Sequence, residues 1–123
     1  NELEGYDYVI DAIDSVNDKT DLIINATRAR VKIFSSMGAA LRFDPTKVTT
    51  GELMDIKGDA LAKAVRARMK KLDVHPYKKV RCVYSSEQTQ RCETRGSLMQ
   101  VTAVFGLTLA SLVITDITNQ AKL

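Results

Sequence analysis

The sequence predicts an α/β chain built on a partial parallel sheet with flanking helices. Three observations lead there. Residues 8–36 read strand, helix, strand, which is a βαβ unit with a right-handed crossover. Residues 59–85 repeat the logic, an amphipathic helix followed by an alternating strand. The 123 residues, 45% hydrophobic and 27% charged, carry no internal repeat and no linker. That length builds one small core, and the composition excludes collagen, coiled coil and disorder. Residues 1–123 are therefore read as belonging to one domain.

Each element has its own warrant. Tyr8–Ile13 is short, apolar at Val9, Ile10, Ala12 and Ile13, and suits a parallel strand covered on both faces. The polar residues Asp14, Ser15, Asn17 and Asp18 follow and can cap a helix. That helix is expected over 18–29, with Leu22, Ile23 and Ala26 facing the core. Lys32–Ser36 is the second strand, and the small-residue loop Ser36–Ala40 follows it. Leu41–Thr50 reads as extended, with Pro45 arguing against a central position. Asp59–Leu72 is helical, with Leu61, Val65, Met69 and Leu72 on one face. Lys79–Ser85 alternates as a strand, Glu87–Gly96 is a polar loop, and Ser97–Asn119 is a long apolar helix.

The net charge of +3 hides a pattern. Residues 1–62 carry 7 basic and 11 acidic side chains, and residues 63–81 carry 8 basic and 1 acidic. The basic stretch comprises Lys63, Arg66, Arg68, Lys70, Lys71, Lys78, Lys79 and Arg81. It fits either an RNA backbone contact or a solvated helix face. Only Tyr77 interrupts it, so base stacking is not indicated. The two cysteines form no CxxC pair, and no signal peptide is expected at the amino terminus. Reduced thiols and a cytoplasmic location follow.

In an open parallel sheet, ligands bind beyond the carboxyl ends of the strands. Asp11 lies within the first strand and Asp14 at its exit. Two roles fit Asp14: a carboxylate holding Mg²⁺ and, through it, phosphates, or a cap on the following helix. A Rossmann-like domain normally opens on a strand and a Gly-rich turn, yet neither GxGxxG nor GxxxxGK[ST] occurs here. The chain reads as a fold entered in the middle.

YVIDAIDSVNDK (residues 8–19) resembles the D-x-x-D-[NS] segment of the ubiquitin-activating-like adenylating enzymes. By that resemblance Asp14 lies at the Mg·ATP site. The stretch from Val31 to Leu72 resembles the tRNA threonylcarbamoyladenosine dehydratase branch. It shares a small-residue loop, a D-P-[ST]-x-[VI] element and a D-x-[LI]-A-x-x-[VL]-R-x-R-[LM]-[KR] helix. VYSSE (83–87) and VTAVFG (101–106) fit as well. The resemblance implies the carboxyl-terminal half of such a domain. It implies ATP and Mg²⁺ as cofactors, tRNA as partner and a homodimer. A monovalent cation in the Ser36–Ala40 loop and a sulfur-transfer partner protein are further implied possibilities. Sulfur-carrier adenylyltransferases, the alternative branch, carry two CxxC pairs for zinc. This chain has neither, so no zinc is expected. A non-catalytic dimerisation module is the third reading.

The remaining candidates are smaller. Cys92, flanked by Arg91 and Arg95, is either a reactive thiol or an ordinary loop thiol. Cys82 reads as a core residue and His75 as a surface histidine. The uncharged run between Arg95 and Asp116 has the length of a membrane span. Its Ser, Thr and Gly residues favour a buried helix at a homodimer interface, with peripheral membrane association as the alternative.

Overall fold

The computed structural model describes residues 2–89 and 98–121. Its strands are β1 (Tyr8–Asp11), β2 (Lys32–Ser36), β3 (Val48–Glu52) and β4 (Arg81–Ser85). Its helices are α1 (Val16–Arg28), α2 (Ala60–Leu72) and α3 (Met99–Ala121). The four strands form one sheet in the order β1-β2-β4-β3.

The sheet is mixed, not purely parallel. β1, β2 and β4 run parallel, while β3 pairs antiparallel with β4, Val48 opposite Ser85 and Glu52 opposite Arg81. Only the end of the expected extended segment 41–50 becomes strand. Pro45 opens a short 3₁₀ turn, Pro45–Lys47, capped by Asp44, whose side chain accepts from the Thr46 amide. The missing proline N–H is harmless there, and the chain reverses direction before β3. Thr46 hydrogen bonds hold the Asp44 carboxyl below its usual range.

Side chains alternate across the sheet, so Cys82 and Val83 serve different cores. Cys82, Ile33 and Val80 meet Ile23, Ala26, Val65 and Met69 of α1 and α2. Val83 meets Val101, Phe105 and Leu109 of α3 on the opposite face. Burial pushes the Cys82 thiol up to about 12, as an inert core residue requires. In α1, Leu22 is only half-buried, whereas Ile23 and Ala26 are buried together with Lys19, Thr20 and Thr27. In α2, Val65 and Met69 are buried but Leu72 is exposed.

One sequence expectation about burial fails within this chain. β1 is not covered on both faces: it is an edge strand in this chain, and Ile10 is 51% exposed. The last helix forms where expected, and within the single chain one side of it is open to solvent. Only its Val101–Phe105–Leu109 stripe enters the core, and Leu107 is 70% exposed. The helix is long and apolar enough to cross a membrane by length and composition alone. It packs on β2, β3, β4 and the 3₁₀ turn. Its carboxyl end is tied down by Asp116, which pairs with Lys32 at 2.8 Å and accepts from the Tyr8 hydroxyl at 2.5 Å.

Candidate functional site

The crossover connections give the sheet two distinct ends. α1 leaves the carboxyl end of β1 and returns to the start of β2. α2 begins beside the exit of β2, where the Asp59 carboxylate accepts from the Gly38 amide at 3.1 Å and the Ala62 amide at 2.8 Å. Both helices therefore start at the carboxyl end of the parallel strands and finish at the amino end.

At the carboxyl end of β1 lies a buried polar cluster. Asp11 and Lys19 are both 0% exposed and pair at 2.8 Å. Ser35, opposite Asp11 in the register, donates its hydroxyl to the same carboxylate oxygen at 2.5 Å. The other Asp11 oxygen accepts from the Ile13 amide at 3.0 Å, and Lys19 Nζ donates to the Ile13 carbonyl at 2.9 Å. The Ile13 carbonyl belongs to the peptide bond that carries Asp14. One ion pair thus fixes the backbone leading directly to Asp14. Burying two charges is tolerable here because each is paired and further hydrogen-bonded.

Asp14 itself is exposed just beyond this cluster. It is not the helix cap: Ser15 is, its hydroxyl accepting from the Asp18 amide at 3.5 Å. The Asp14 carboxylate is left facing solvent at the strand exit, beside the positive end of α1. That suits one carboxylate ligand to a hard cation that also takes phosphate oxygens. It supplies a single wall, since neighbouring Ala12, Ile13 and Ser15 are exposed too.

The expected basic stretch is dispersed. Lys63 lies in the first half of α2, and Lys70 and Lys71 in its last turn. Arg66 is partly engaged, donating to the Leu53 carbonyl at 2.8 Å. Arg68 is half-buried and Arg81 faces Glu52 at 3.7 Å. Lys78 and Lys79 are exposed before β4, and His75 is exposed nearby. Cys92 lies outside the described residues.

Sequence reasoning missed two kinds of residue. Lys19, given no role from the sequence, is the partner that makes Asp11 buriable. Its spacing, eight residues after Asp11, was the available signal. Arg28 and Arg30 were also missed, although they join Lys78 around one hollow. The signal was directional: α1 and α2 end at the same end of the sheet, and cations favour helix carboxyl ends.

No protein-family model matches the sequence. Among curated proteins, the chain is 32% identical over 130 residues to the tRNA threonylcarbamoyladenosine dehydratase of Haemophilus influenzae, covering 89% of this chain and 50% of that protein. It is 34% identical to the Escherichia coli protein of the same name over 80% of this chain and 39% of that one. Among solved structures, the E. coli tRNA N6-threonylcarbamoyladenosine dehydratase in complex with AMP matches with a TM-score of 0.87. There the identity is 33%, over 96% of this chain and 51% of that one. The same enzyme in complex with ATP matches with a TM-score of 0.86. The chain spans about half the length of these relatives, or less.

Proposed function

We propose that this chain, homologous over most of its length to the tRNA threonylcarbamoyladenosine dehydratases, forms one half of an ATP-dependent enzyme that cyclises N6-threonylcarbamoyladenosine in tRNA. The observation that carries the reading is Asp14, exposed at the exit of a parallel strand and held there by the buried Asp11–Lys19 pair. It stands in a half-fold that matches an enzyme solved with AMP and with ATP.

The reaction has two steps. A carboxylate oxygen of the modified nucleoside attacks the α-phosphorus of ATP, and pyrophosphate leaves. A nucleophile within the same side chain then attacks the activated carbonyl carbon, closing a ring and expelling AMP. The nucleoside loses one water overall. Mg²⁺ would neutralise charge on the phosphates. Asp14 would hold the metal, while the Lys19 ammonium fixes the peptide that carries it. A Gly-rich phosphate loop does not occur in these 123 residues, so the phosphate cradle must come from elsewhere in the assembled site. The basic residues of α2 and of the segment before β4 would meet the tRNA backbone.

Three finer parts belong to the same proposal. A homodimer would cover the exposed apolar side of α3, where Met99, Leu107, Ile114 and Ile117 face solvent. A monovalent cation would sit among the carbonyls of the Ser36–Ala40 loop. The protein would act in the cytoplasm.

The direct test incubates the complete protein with ATP, Mg²⁺ and tRNA bearing the modified nucleoside, followed by digestion and mass spectrometry. A nucleoside lighter by one water is expected. Unchanged nucleoside would overturn the reading. Adenylation of a carrier-protein carboxyl terminus instead would move it to the sulfur-carrier branch.

A further inference from the structure

The end of the sheet opposite Asp14 carries a feature that the proposed chemistry does not use. A hollow of about 630 Å³ is lined by Thr27, Arg28, Arg30, Tyr77 and Lys78. It forms where the carboxyl end of α1 meets the turn entering β4. Several cations of the described residues are engaged, Lys19 by Asp11, Lys32 by Asp116 and Arg66 by the Leu53 carbonyl, whereas the exposed lysines of α2 stand singly on a convex face. Among the described residues, Arg28, Arg30 and Lys78 form neither an ion pair nor a side-chain hydrogen bond. Five acids stand near: Glu2 and Asp21 share neighbouring hollows with Arg28, Asp7 shares one with Arg30, and Glu52 and Asp55 share one with Lys78. None of them closes to ion-pair distance with these three cations. Tyr77, 71% exposed, presents its ring at the rim.

Arg30 is the most informative residue. Helix α1 ends in a Schellman arrangement, with the Val31 amide bonded to the Ala26 carbonyl at 3.0 Å and the Arg30 amide to the Thr27 carbonyl at 3.1 Å. The residue at that corner must adopt the left-handed conformation, and Arg30 does so at φ 59°. Glycine is the residue that suits this position. An arginine there bears backbone strain, and its guanidinium, without a partner in the fold, gives no visible return in stability. Arg28 has a structural reason for its place, since a cation complements the helix carboxyl end. Arg30 has none of comparable kind.

We propose that the hollow lined by Arg28, Arg30, Tyr77 and Lys78 is a docking site for RNA backbone phosphates, separate from the nucleotide end of the sheet. Three unpaired cations around one concavity repel each other until an anion enters. Arginine guanidinium groups match phosphate oxygens in geometry as well as charge. An aromatic ring beside them offers a stacking face for a splayed base. The choice of RNA over another polyanion rests on the proposed function, whose substrate is a tRNA. Contacts of this kind position the nucleic acid without reading its sequence. They would hold a part of the tRNA remote from the reacting nucleoside.

The strain at Arg30 makes the test unusually clean. Arg30→Gly relieves the backbone, so the variant is expected to melt no lower than the native protein. Binding of a tRNA transcript to the complete protein is measured by filter retention across a salt series. Arg30→Gly is expected to weaken binding about three- to tenfold at moderate salt and to lower the slope of log K against log salt by about one. The Arg28→Ala, Lys78→Ala pair is expected to compound the loss. Tyr77→Leu is expected to weaken binding with no change in slope. ATP–pyrophosphate exchange supported by saturating modified tRNA stays unchanged in Arg30→Gly. Unchanged tRNA affinity and slope in Arg30→Gly and in the Arg28, Lys78 pair would overturn the proposal. So would an equal loss of binding to polyglutamate, which would mark an acidic protein surface as the partner. Failure of the native protein to support exchange at all would instead count against the proposed function and leave the tRNA-binding result readable on its own.

Discussion

The two ends of the sheet handle charge in opposite ways. At the carboxyl end, Asp11 and Lys19 are buried, paired and spent on holding the backbone before Asp14. At the amino end, Arg28, Arg30 and Lys78 are left without partners around a hollow. Both arrangements follow from the crossover topology. Each helix starts at one end and finishes at the other, so acids and phosphates suit the first and cations the second. Structural charges are thereby separated from available ones. A buried pair fixes geometry, and an unpaired exposed cluster offers binding.

That contrast is broken most forcefully from the buried side. Asp11→Ala strands the Lys19 ammonium in the core. It is expected to cost about 3–5 kcal/mol, read as a lower denaturant midpoint with an unchanged slope. A loss below about 1 kcal/mol, within the range of surface pairs, would mean the cluster is wetter than its geometry implies. The opposite sign is expected at the other end. Arg30→Gly should gain about 1 kcal/mol by relieving the left-handed residue, measured in the same denaturation series.

A third region links the ends through α3. Asp116 is held below its usual carboxylate range, first by its hydrogen bond from Lys32 and then by the one from Tyr8. The Tyr8 hydroxyl is pushed up to about 12, chiefly by that hydrogen bond to Asp116. A depressed carboxyl contributes stability that is present above its unfolded value and is lost as pH falls through the folded one. Amide exchange in the last turns of α3 is therefore expected to stay slow through neutral pH and to accelerate only below about pH 4. Asp116→Asn would remove that acid step. A smaller effect is expected at Cys82, whose thiol burial pushes up to about 12. Alkylation at mildly alkaline pH should spare it in the folded chain and reach it only on unfolding, as read by peptide mass spectrometry.

Most of the fold was legible because its signals are local. The βαβ unit over Tyr8–Ser36 and helix α2 followed from apolar spacing and capping residues, and the structure moves their bounds by a few residues. The direction of β3 was not legible. An extended segment looks the same in a parallel and an antiparallel ladder, and only the reversal after Pro45 decides it. The exposure of Ile10 and Leu107 was not legible either, because apolar composition marks a face to be covered without saying what covers it. At the site, Asp14 could be picked out by its place at a strand exit. Its freedom from capping could not, because Ser15 stands beside it with the same capacity. The Asp11–Lys19 pair and the Arg30 corner depend on contacts and dihedral angles that spacing does not encode.

Asp14 is the residue on which the nucleotide end of the sheet depends, and one measurement addresses it most directly. In the complete protein, Asp14→Asn removes the carboxylate while leaving the Ser15 cap and the Asp11–Lys19 pair intact. Stability should stay within about 0.5 kcal/mol of the native value, as for a surface substitution. ATP–pyrophosphate exchange in the presence of the modified tRNA should fall by at least a hundredfold, and added Mg²⁺ should not restore it, the scale expected when transition-state charge stabilisation is removed. Native stability with an undiminished exchange rate would contradict the account, for Asp14 would then be only an exposed residue beside a helix cap.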